Sequence, residues 1–166
     1  MNTLIIYDSM YGNTEKIAYA MADGITGDVK VQSVVDVNAA EFSVPDLLIV
    51  GSPVHGGRPT VAIEEFLKQL PADALKGISV AAFDTRFSAE DHGIGIRLLI
   101  SIIHYAAGRI AKVLTRKGGR LIAEPEGFIV EDKEGPLQHG ELERATSWAK
   151  ELCAQKESLI DNPSLV

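Results

Sequence analysis

The stretch Ile5-Ile6-Tyr7-Asp8-Ser9-Met10-Tyr11-Gly12-Asn13-Thr14, followed by Ile17-Ala18, joins an apolar run to a loop of small and polar residues and then to a helical pattern. Leu4 to Tyr7 reads as a strand, and Asn13 to Asp23 reads as a helix. The loop between them fits an anion cradle. Successive backbone N–H groups and the side chains of Ser9, Asn13 and Thr14 can converge on one phosphate, aided by the helix dipole. The loop carries no lysine and no GK[ST] ending, which a triphosphate loop needs, and no GxGxxG, which would hold a pyrophosphate. The same residue types also build ordinary tight turns and N-caps, so the loop alone leaves both readings open.

The rest of the chain repeats this alternation. Further strands are expected at Val29 to Val35, Leu47 to Val50, Ile78 to Phe83 and, more loosely, Gly119 to Val130, with helices at Thr60 to Leu70, about Ile94 to Arg116, and Glu141 to Lys156. The runs at Leu47 and Ile78 are almost unbroken Leu, Ile, Val and Ala, the composition of strands covered on both faces. Strand-helix alternation of this kind implies a parallel sheet with right-handed crossovers. In the last helix Leu142, Ala145, Ala149, Leu152 and Cys153 recur at helical spacing, opposed by Glu143, Arg144, Lys150 and Glu151. Cys153 therefore reads as a small core residue.

No linker, repeat or low-complexity tract divides the 166 residues, so one domain over 1–166 is expected. The formal net charge is -7, from 23 acidic and 16 basic residues. That balance speaks against a nucleic-acid partner, which would be held by clustered Lys and Arg, and it suits either plain solubility or docking to basic patches on partner proteins. Cys153 is the only cysteine, which rules out an intrachain disulfide. The opening run Thr3-Leu4-Ile5-Ile6-Tyr7 is short and lacks the basic flank and cleavage site of a signal peptide, so a cytoplasmic location is expected.

The whole stretch Ile5 to Thr14 with Ile17-Ala18 resembles the flavodoxin signature: an aromatic residue closes the strand, and a hydroxyl residue, a small residue and a threonine follow at these spacings. Met21 stands where the family usually has Leu, Ile or Val. The resemblance implies a doubly wound five-stranded parallel sheet in the order 2-1-3-4-5, helices on both faces, and FMN as a non-covalent cofactor. One terminal phosphate suits the first loop, which favours FMN over FAD or riboflavin.

Ligands of such sheets lie beyond the carboxyl ends of the strands, at the point where strand order reverses. The first loop would then contribute Ser9, Met10, Tyr11, Gly12, Asn13 and Thr14. The second, Gly51-Ser52-Pro53-Val54-His55-Gly56-Gly57-Arg58-Pro59-Thr60, resembles its flavodoxin counterpart and would contribute Pro53, Val54, His55, Gly56 and Gly57. A peptide beside glycine flips at little steric cost. In the family such a flip brings a carbonyl to N5 of the one-electron-reduced flavin, and the resemblance points to Gly56 or Gly57. The third loop, Asp84-Thr85-Arg86-Phe87, would meet the pyrimidine edge of the ring. Gly127 to Val130, Gly135-Pro136-Leu137 and the helix from Glu141 resemble the family's final strand and helix. The flavodoxin habit of stacking the ring between Trp and Tyr is not met, because Trp148 lies on the last helix; His55 and Phe87 are the substitutes available. The chain also lacks the long insertion of long-chain flavodoxins.

The segment Ile94-Gly95-Ile96-Arg97-Leu98-Leu99-Ile100-Ser101-Ile102-Ile103-His104-Tyr105-Ala106-Ala107 is more apolar than one covering helix requires. A homodimer or partner interface is the expected use, against a deep private core. Arg97, His104 and Arg109 interrupt it before the about 18 apolar residues of a membrane span. His55, His92 and His104 lack metal-site spacing, and Glu131, Asp132 and Glu134 read as a solvated turn. Two functions fit the resemblance: an electron carrier between redox partner proteins, with no catalytic side chain, or an FMN-dependent reductase of a quinone or protoporphyrinogen. A receiver domain would need an aspartate where strand three instead ends Ile49-Val50-Gly51-Ser52.

Overall fold

A computed structural model of the chain describes residues 1–38, 45–87 and 105–161. Strand β1 (Asn2–Tyr7) sits inside the sheet, paired in parallel with β2 (Asp28–Ser33) on one side and β3 (Leu47–Pro53) on the other. β3 pairs with β4 (Ser79–Phe87), and β4 pairs in parallel with both β5 (Arg120–Leu121) and β6 (Glu126–Val130). The order is β2-β1-β3-β4-β5, with β6 also on β4. This is the expected doubly wound 2-1-3-4-5 sheet.

Helices α1 (Asn13–Gly24) and α4 (Glu141–Asp161) cover one face, and α2 (Val61–Gln69) and α3 (Ala106–Arg116) the other. The strands divide their side chains by alternation. Ile5, Tyr7, Ile49, Ala81 and Phe83 pack with Ile17, Met21 and Ala149, while Leu4, Ile6, Val50, Val80 and Ala82 pack with Ile63, Ile110 and Leu114. Burial on both sides is why β1, β3 and β4 are nearly continuous apolar runs.

Three local expectations are corrected. The strand read as Val29 to Val35 stops at Ser33 and gives way to a 3-10 turn over Val34–Asp36, in which Val34 is buried and Val35 faces solvent. The strand read as Gly119 to Val130 is two. Leu121 faces Val80 and Glu126 faces Phe83, so residues 122–125 cross the space of 81 and 82. Pro125 lies in that detour and has no N–H to give to the ladder. In α4, Leu142 is exposed, because the buried stripe begins one turn later with Ala145, Trp148, Ala149, Leu152 and Cys153. The helix expected from about Ile94 to Arg116 is described from Ala106 to Arg116, and its expected start lies outside the described residues. The apolar 94–107 segment lies outside them except for Tyr105, Ala106 and Ala107, and the expected interface there lies outside them too.

Among the described residues no helix is long and apolar enough to cross a membrane. Trp148 meets Phe128 edge to face, with ring centroids 6.3 Å apart, which places the tryptophan in the core under α4.

Candidate functional site

A cavity of about 400 Å³ opens at the carboxyl ends of β1, β3 and β4. The first loop lines it with Ser9, Met10, Tyr11, Asn13 and Thr14, the second with Pro53, Val54, His55 and Gly56, and the third with Thr85, Arg86 and Phe87. Twelve of the fifteen expected residues thus share one wall, while Gly12, Gly57 and Asp84 do not line it. Val130 and Lys133, which the sequence reading missed, complete it. Its size falls in the range of about 300–1,000 Å³ usual for small-molecule sites.

The first loop is not an ordinary side-chain cap. Gly12 occupies the N-cap of α1 with φ 82°, and no side-chain cap bond is present. Among the described residues, the N–H groups of Met10, Tyr11, Gly12, Asn13 and Thr14 meet no acceptor. Five adjacent unpaired donors at a helix N-terminus form the cradle that a phosphate or carboxylate would fill. The surrounding side chains fix its shape. The Ser9 hydroxyl accepts the Glu15 N–H at 3.3 Å, and the Asn13 amide donates to the Glu134 carbonyl at 3.0 Å. Thr14 and Thr85 share a buried hydroxyl contact of 2.9 Å. Below them the Tyr7 phenol donates to the Glu15 carboxylate at 2.6 Å. Burial, together with that acceptor, holds the phenol well above its ordinary range and so keeps it a donor.

The second loop is a tight turn. His55 N–H donates to the Arg58 carbonyl at 2.8 Å and Arg58 N–H returns to the His55 carbonyl at 3.0 Å, with Gly56 at φ 54° and Gly57 at φ 76°. Positive φ at both central positions is the type I′ geometry that glycine makes accessible. The two peptides differ in freedom. The Gly57–Arg58 peptide is held at both ends, its N–H by His55 and its carbonyl by Arg109 Nε at 3.2 Å. Among the described residues the Gly56–Gly57 peptide has no partner at either end. Of the two positions, Gly56 therefore carries the free carbonyl, and it lines the cavity.

The third loop splits by strand alternation. Asp84 is fully buried and turns toward α3, where one oxygen takes the Ala107 N–H at 2.8 Å and the other pairs with Arg86 Nε. Burial pushes the Asp84 carboxyl above its ordinary value, against the opposing pull of the Arg86 guanidinium. Thr85, on the other face, reaches the first loop. Arg86 is sandwiched, with its guanidinium carbon 3.8 Å from the Tyr105 ring centroid and close against Gly127. Phe87 stands half exposed at the mouth.

Such a sheet, with a lysine-free cradle at the point where its strand order reverses, defines a doubly wound α/β protein with a site for a small ligand bearing one anionic end. The chain matches the flavodoxin domain over residues 4–97, and it belongs to that family. Solved structures share the fold at low identity. Flavodoxin 2 from Bacillus cereus is 24% identical with a TM-score of 0.70, covering 94% of this chain and 99% of that one. The flavodoxin from Streptococcus pneumonia TIGR4 is 22% identical with a TM-score of 0.70, covering 93% and 99%. Rubredoxin oxygen:oxidoreductase from the anaerobe Desulfovibrio gigas is 21% identical with a TM-score of 0.70; 96% of this chain aligns with 37% of that larger one. No curated protein matches the chain by sequence.

Proposed function

We propose that this protein binds FMN non-covalently and carries one or two electrons between redox partner proteins. The reading rests on the five unpaired N–H groups from Met10 to Thr14, set at one end of a cavity whose remaining wall offers Pro53, Val54, His55 and Phe87 to a flat ring. FMN, when bound, supplies one- and two-electron redox chemistry that no side chain can. The chain's own residues do the rest. The cradle donates to the phosphate, and Thr14 and Thr85 brace the cradle against β4. The free carbonyl of Gly56 is available to accept a hydrogen bond from an N–H on the ligand's ring edge. A net charge of -7 suits encounter with basic patches on partner proteins. Cys153 is buried and has no disulfide partner in the chain, which suits a reducing compartment such as the cytoplasm.

Mass spectrometry of the chromophore extracted from purified protein tests the cofactor. FMN is expected; FAD, or no flavin after reconstitution with excess FMN, overturns the proposal.

A second reading, an FMN-dependent reductase of a small substrate such as a quinone, is favoured by one observation. No tryptophan closes the cavity, and Phe87 at its mouth is 52% exposed. An open ring face would admit a substrate. Stepwise anaerobic reduction followed by visible absorbance separates the two: well-separated one-electron steps fit a carrier, and a single two-electron step fits a reductase.

A further inference from the structure

The cavity wall differs in charge from the rest of the molecule. The chain has 23 acidic residues against 16 basic, yet the described wall contains no carboxylate and two permanent cations, Arg86 and Lys133. Arg86 is already committed to Asp84 and Tyr105. The Lys133 ammonium has no acceptor among the described residues, and the side chain is exposed along the cavity edge.

Its position is built rather than incidental. Val130 and Leu137 bridge across the base of the β6–α4 loop, Glu131 N–H donates to the Pro136 carbonyl at 2.9 Å, and Lys133 N–H donates to the Asp132 carboxylate at 2.7 Å. The loop is then docked on the anion cradle itself. Asn13, the first residue of α1, donates to the Glu134 carbonyl next to Lys133. Gly135 lies so close that a Cβ there would come within 2.7 Å of the Asn13 amide, so the approach requires glycine. The cradle supplies only neutral donors, and the loop anchored to it brings the one uncommitted permanent cation among the described residues of the wall.

We propose that Lys133 pairs with the phosphate of the bound flavin nucleotide and makes the site select the phosphorylated flavin by charge as well as by hydrogen bonding. This rests on the FMN reading above. The pair is solvent-exposed, so its contribution is modest and screened by salt.

The experiment compares FMN and riboflavin affinities, by flavin fluorescence quenching, for wild type, Lys133→Gln and Lys133→Arg, with Lys150→Gln on the exposed side of α4 as a control for net charge. Lys133→Gln should weaken FMN roughly three- to tenfold at low ionic strength and leave riboflavin unchanged. The gap should close at about 0.5 M salt, where screening is short-ranged. Lys133→Arg should restore FMN binding, and Lys150→Gln should match wild type. Unchanged FMN affinity in Lys133→Gln, an equal loss for both flavins, or an equal effect of Lys150→Gln overturns the assignment while leaving FMN binding intact. A wild-type protein that binds neither flavin overturns both.

Discussion

The hydroxyls of Thr14 and Thr85 lie 2.9 Å apart, buried, and join the first loop to the third across the mouth of the sheet. The contact links the first turn of α1 to the end of β4, so the cradle's position depends on a residue remote in sequence. Thr14→Val should remove one hydroxyl from the phosphate site while keeping the side-chain shape. We expect FMN binding to weaken by about 1.5–3 kcal/mol, as for a hydrogen bond to a charged group. Riboflavin affinity should hold. Parallel titrations check this, and equal losses for the two ligands would show that the hydroxyl does not address the phosphate. Thr85→Val should act through Thr14, so the double variant should depart from additivity by about 0.5 kcal/mol or more.

Asp84 ties the end of β4 to the first turn of α3 through Arg86 and the Ala107 N–H. Removing one member of a buried, hydrogen-bonded ion pair leaves the other charge unpaired, so Asp84→Ala should cost about 3–5 kcal/mol in urea unfolding. Asp84→Asn should cost less, since its amide oxygen still accepts a bond. A value for Asp84→Ala within about 1 kcal/mol of wild type would contradict the clasp.

Gly56 and Gly57 both have positive φ, and a Cβ at either would meet nothing within 4 Å. Backbone strain alone should therefore destabilise each Ala variant by about 1–2 kcal/mol. Their effects on flavin binding should differ: Gly56 lines the cavity and carries the free carbonyl, whereas the Gly57 carbonyl is held by Arg109. Gly56→Ala should weaken FMN binding more than Gly57→Ala in a direct titration. The reverse order would place the ligand's ring edge elsewhere.

Glu141 opens α4 and anchors it to β6. Its carboxylate takes the Ile129 N–H at 2.6 Å and pairs with Arg144 at 2.7 Å. Burial acts to raise its pKa, but the Arg144 guanidinium and the Ile129 N–H together hold it below the ordinary glutamate value of 4.5. A depressed folded-state value means that the unfolded chain binds the proton first. The stabilisation is therefore present above 4.5 and is lost as pH falls through the lower folded-state value. Glu141→Gln should be less stable than wild type at pH 7, by about 1–2 kcal/mol. That deficit should shrink on acidification below pH 4.5, as thermal melts across pH would reveal. A deficit independent of pH would mean that packing, and not charge, is lost.

The sequence by itself determined the layer order and the three loops that line the cavity. Apolar runs such as Leu47 to Val50 are too continuous for a one-sided sheet, and their alternation with helical patterns leaves a parallel, doubly wound arrangement. Ser9 to Thr14 fits an anion cradle because its donors are consecutive backbone groups, whose direction follows from the local strand-loop-helix path; the resemblance to the flavodoxin signature is what favours that reading over an ordinary turn. Trp148 was recognised as remote from the site by its place on the last helix, and it sits in the core.

What only the tertiary structure decided involves contacts between distant segments. The resemblance places Asp84 at the site with the rest of the third loop, yet successive strand residues point to opposite faces, and only packing shows that Asp84's face belongs to α3. Gly56 and Gly57 are equivalent in the sequence, and it is Arg109, from α3, that holds the Gly57 carbonyl and leaves that of Gly56 free among the described residues. Lys133 was hidden in an acidic turn, and it reaches the cavity because Asn13 grips the Glu134 carbonyl across 121 residues of chain. A local pattern fixes backbone direction and periodic faces, because those depend on neighbours in sequence. Which side chain completes a cavity depends on where separate loops dock, and that is set by the packing of the whole chain.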